Sequence, residues 1–75
     1  MTKDKFLAAY EQSILQTYGW AKNDNTRGKF MKSVQETLAG AATWDHSGPV
    51  AVDAWHAIGG RGRPTLKALR ALPEA

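Results

Sequence analysis

The chain contains no cysteine, which excludes disulfides, thiolate zinc sites and cysteine nucleophiles. No apolar run approaches the roughly 18 residues that a membrane span needs, so no membrane partner is expected. No signal-peptide hydrophobic region follows Met1-Thr2-Lys3-Asp4-Lys5, and a cytoplasmic location fits these absences. Metal-protease motifs, P-loops and dinucleotide fingerprints are missing as well. One further absence is local: from Gly59 to Arg70 there is no acidic residue, while four of the ten basic residues of the chain fall there.

What is present reads as a small soluble domain. Seventy-five residues suffice for one domain, and a domain of that size buries only about 60% of its unfolded surface. Hydrophobic residues make up 43% and charged residues 23%, the range of ordinary globular proteins. The formal charge of +3 permits an acidic partner without requiring one.

Hydrophobic spacing divides the chain into four helical segments, at about 3–18, 26–39, 49–58 and 64–72. In the first, Phe6, Leu7, Tyr10, Ile14 and Tyr18 recur at the three- and four-residue spacing of an amphipathic helix. Thr2 is its N-cap candidate and Gly19 its terminator. Asn23-Asp24-Asn25-Thr26 forms a turn cluster with capping residues. The second helix follows with the stripe Phe30, Met31, Val34 and Leu38, and Gly40 ends it. Asp45 or Ser47 is expected to cap the third helix, with Pro49 in its first turn. Its buried side is read as Ala51, Trp55 and Ile58, flanked by Val52, and Gly59 stops it. The fourth starts at Pro64 or Thr65, carries Leu66, Leu69 and Leu72 inward, and ends at Pro73. The expected fold is all-α: a single-domain bundle over residues 1–75, of three main helices plus a short C-terminal one.

Catalytic and metal chemistry find little support. Asp53 and His56 lie one helical turn apart, a spacing that two metal ligands could use. A metal site needs three or four supported ligands, so the pair reads as a surface ion pair, with His56 aiding the end of its helix. Asp45-His46-Ser47 holds the residue types of a hydrolytic triad, but adjacent residues cannot converge as one. No cofactor, no metal and no enzymatic activity are expected. Trp20, Trp44 and Trp55 read as plugs for a small core. Trp44, in a loop beside His46, is the candidate for an exposed anchor.

Gly59-Gly60-Arg61-Gly62-Arg63-Pro64, running into Thr65-Leu66-Lys67-Ala68-Leu69-Arg70, points most directly at a partner. Arginines on a glycine-rich backbone suit phosphates or an acidic protein face. Arg61-Gly62-Arg63-Pro64 resembles the core of an AT-hook, a resemblance that would send Arg61 and Arg63 into a narrow minor groove. The flanks depart from that family: Ile58-Gly59-Gly60 precedes and an apolar helix follows. A helix-turn-helix is a second reading, with Thr65, Lys67 and Arg70 on the recognition element; His56 then falls where a small residue is required. A plain helix-to-helix connection with solvated arginines is the third.

Taken whole, the chain resembles the small proteins of unknown function encoded by tailed bacteriophages. The resemblance lies in Gly19-Trp20, in Thr43-Trp44-Asp45-His46, and in Ala54-Trp55-His56-Ala57-Ile58-Gly59-Gly60 leading to the Pro64–Arg70 segment. It implies a non-catalytic protein that contacts nucleic acid or a host protein. The candidate contacts are Arg61, Arg63, Lys67 and Arg70, extended by Arg27, Lys29 and Lys32. Two functions remain open: a nucleic-acid-binding regulatory module, or an inhibitor or adaptor of a host enzyme or defence complex using an exposed Trp beside the same arginines. A homodimer that extends the small core is compatible with either.

Overall fold

A computed structural model describes residues 1–18, 24–40 and 48–75 of the chain. Four helices appear in these segments: α1 (Lys3–Tyr18), α2 (Asp24–Leu38), α3 (Pro49–Ala57) and α4 (Leu66–Arg70). The fold is all-α, with three longer helices and a short fourth. No helix among the described residues is long and apolar enough to cross a membrane. Trp20, Trp44, Asp45, His46 and Ser47 lie outside the described residues.

Packing follows the hydrophobic stripes. The core is Phe6, Tyr10 and Ile14 of α1, Val34 and Leu38 of α2, Val50, Ala51 and Ala54 of α3, and Leu69 of α4. The main packing is α1 against α3, while α2 rests on α1 and α4 rests on α2. An aromatic ladder ties α1 to α2: the Phe6 and Tyr10 ring centroids are 5.9 Å apart, and Tyr10 stacks on Phe30 at 6.3 Å. The radius of gyration is 11.4 Å, matching the roughly 11 Å expected of a folded chain of this length.

The start of α1 gives partners to the three N–H donors, of Lys3, Asp4 and Lys5, that its first turn leaves without helical acceptors. Lys5 N–H donates to Thr2 Oγ1 at 3.1 Å and Phe6 N–H to Thr2 O at 3.0 Å, so Thr2 is the N-cap. The other two find acceptors at the far end of the chain: Lys3 N–H donates to Pro73 O at 2.7 Å and Asp4 N–H to Glu74 O at 3.2 Å. Lys3 Nζ also meets Glu74 Oε1 at 3.1 Å, an exposed pair of small weight. The C-terminal segment therefore closes the bundle by hydrogen-bonding the beginning of α1.

Three boundaries differ from the spacing-based expectation. α2 begins at Asp24 rather than Thr26, because every residue of the turn cluster is a type accepted at a helix start and the helix takes the earlier one. α3 has Gly48 at its N-cap position with no side-chain cap, in place of the expected Asp45 or Ser47. α4 begins at Leu66 rather than Pro64, and its N-cap Thr65 accepts from Ala68 N–H at 3.1 Å through Oγ1. Pro64 and Leu69, both fully buried, then occupy the two positions of a hydrophobic staple. The buried side of α3 also differs: Val50, Ala51 and Ala54 are buried, while Val52, Trp55 and Ile58 are half-buried.

Candidate functional site: a tethered basic turn

The stretch from Gly59 to Arg63 is built by the end of α3. Gly59 takes φ +101°, a left-handed conformation that side chains rarely adopt. Its N–H donates to His56 O at 3.0 Å, and Gly60 N–H donates to Trp55 O at 2.8 Å. This pair of bonds is the Schellman arrangement that ends helices at glycine. Gly60 is needed for a different reason. A Cβ placed on it would overlap the indole ring of Trp55, so the ring covers Gly60 directly.

Two side chains of α3 then hold the turn. Trp55 donates from Nε1 to the carbonyl of Arg61 at 3.1 Å. His56 donates from Nε2 to the carbonyl of Gly62 at 2.8 Å, which assigns the proton to that nitrogen. Gly62 takes φ +65°, and the buried Pro64 anchors the far end of the turn. The carbonyls of consecutive residues are thus engaged from within the domain. The Arg61 and Arg63 side chains are exposed and make no hydrogen bond or ion pair with any described residue. The backbone is held, and the guanidinium groups are unpaired among the described residues.

The other candidate residues separate by role. Lys67 is exposed on α4, and Lys29 and Lys32 are exposed on the outer face of α2, away from Val34 and Leu38. Arg70 is half-buried and donates from Nε and Nη2 to the carbonyl of Thr37 at 3.1 and 3.0 Å. That carbonyl belongs to the last turn of α2, where it also accepts from Gly40 N–H at 3.0 Å, and a cation there is favourable. Arg70 therefore fastens α4 to the end of α2. The backbone of Arg27 lies in α2; its side chain, like Trp44, falls outside the described residues.

Trp55 and His56 were not legible in these roles. The expected Asp53–His56 ion pair is absent among the described contacts; the imidazole turns to Gly62 instead. A signal did exist: in a Schellman ending, the residue after the left-handed glycine commonly touches the side chain five or six positions before it, here Gly60 and Trp55. No three His, Asp or Glu side chains among the described residues gather as a metal site. No family model, curated protein or solved structure matches the chain.

Proposed function

We propose that the protein is a non-enzymatic nucleic-acid-binding module, of the kind phages use for regulation, that grips the phosphate backbone through Arg61 and Arg63. The observation that carries this reading is the tethered turn: its carbonyls are engaged by Trp55 and His56, while both guanidinium groups are exposed and unpaired among the described residues. A fixed backbone lowers the ordering cost of binding, and arginine forks match phosphate oxygens. Lys67 adds a third exposed cation at the start of α4, and Lys29 and Lys32 are exposed cations on α2. Gly62 at φ +65° and the buried Pro64 favour a preset turn resting on phosphates over an extended peptide laid in a groove. α4, with five residues, is short for a groove-reading helix.

A protein-interaction role would draw on an exposed apolar surface next to the arginines. Among the described residues Met1 is the large hydrophobic that stands exposed; Trp44, the anchor such a role would use, lies outside them. The test is fluorescence-anisotropy binding to labelled DNA and RNA oligonucleotides. Binding is expected at low salt and should weaken steeply as salt rises; no binding to either at low salt would overturn the reading.

A further inference from the structure

Resting on the nucleic-acid reading above, we infer that Gly28, on the exposed face of α2, is a point where a backbone phosphate of the nucleic acid comes directly against the helix. A glycine inside an exposed helix destabilises it relative to alanine, so its presence calls for a cause. Among the described glycines, Gly40, Gly59 and Gly62 have positive φ, and Gly60 lies under the Trp55 indole. Gly28 has neither reason. Its φ is not positive, it is exposed, and a Cβ built on it would meet nothing within 4 Å. No described residue would have to move to accept a side chain there.

The surroundings specify what kind of partner uses the gap. Lys32 follows four residues later and therefore lies on the same face, and Lys29 is adjacent. Both are exposed and have no partner among the described residues. Lys32 thus shares the face of Gly28, with Lys29 beside it around the helix. A carboxylate on a protein partner arrives at the tip of a flexible side chain and can reach past a methyl group. A phosphodiester is part of its chain's backbone and carries the sugars with it, so it gains most from the missing Cβ. The sequence repeats the pattern: Arg27-Gly28-Lys29 in α2 matches Arg61-Gly62-Arg63 in the turn, a glycine between two cations in both places.

Gly28→Ala and Gly28→Leu test this with two readouts that a purely structural glycine would not move in opposite directions. Both residues are strong helix formers, so the thermal midpoint is expected to rise by a few degrees. Affinity for labelled DNA duplex and RNA of the same sequence is expected to fall with side-chain size, by about tenfold for leucine. Unchanged affinity with raised stability would overturn the inference while leaving the role of Arg61 and Arg63 intact, provided the wild type binds. A wild type that binds neither probe at low salt overturns both.

Discussion

Phe6→Ala is expected to leave the domain largely unfolded at ordinary temperature. Phe6 is fully buried in the first turns of α1, against Tyr10 and next to the donors that receive the C-terminal segment. Truncating a buried phenylalanine costs about 3–5 kcal/mol, from lost burial and the cavity left behind. The total stability of a chain of this length is roughly 4–11 kcal/mol at typical per-residue values. The loss is therefore comparable with the lower end of the whole. It also removes one rung of the Phe6–Tyr10–Phe30 ladder that joins α1 to α2. Circular dichroism during thermal unfolding should show loss of most helical signal, or a midpoint lowered by about 12 °C or more. A midpoint within a few degrees of wild type would show that Phe6 does not hold the core.

Gly60→Ala is the second large effect, and it acts at the candidate site. The new methyl would overlap the Trp55 indole, and the ring has little freedom to yield. Turning it aside breaks the Nε1–Arg61 bond, while moving residue 60 breaks the N–H bond to Trp55 O. Overpacking of this kind costs about 1–3 kcal/mol, and a lost hydrogen bond adds to it. We expect the midpoint to fall by about 10 °C. Trypsin should also cut after Arg61 much faster than in the wild type, because the turn is released. Gly62→Ala supplies the comparison: it strains a φ of +65° but meets no neighbour within 4 Å, so it should cost less. If Gly60→Ala unfolded at the wild-type midpoint and resisted trypsin equally, the indole would not be packed on Gly60.

How much of this was legible in the sequence depended on whether one interaction or several decided each feature. The α1 stripe named its buried face, since Phe6, Tyr10 and Ile14 answer to one periodicity and one core. Thr2 was readable as a cap because no other residue competes for that position. The starts of α2 and α4 were not, because adjacent residues could each serve, and the choice rests on tertiary context. At α4 it was the burial of Pro64 that moved the proline out of the helix and gave the cap to Thr65. Arg70 was indistinguishable from Arg61 and Arg63 by type and spacing. Only the approach of α4 to the end of α2 assigned its guanidinium to Thr37 O. Thr37 itself, fully buried with Oγ1 donating to Ser33 O at 2.9 Å, carries no sequence mark of its place in the core. The basic turn was visible as composition, but the residues that hold it, Trp55 and His56, act through backbone carbonyls, which no side-chain pattern reveals.

The central claim is that Arg61 and Arg63, presented from the tethered turn, contact nucleic-acid phosphates. The direct measurement is the slope of log affinity against log salt for wild type and for the Arg61→Ala/Arg63→Ala double variant, on the same DNA duplex. These side chains are exposed and unpaired among the described residues, so their removal should leave the thermal midpoint nearly unchanged. Each lost phosphate contact lowers the slope by about 0.9 on duplex DNA, so the double variant is expected to be shallower by about 1.8. Equal slopes for the two proteins would contradict the claim.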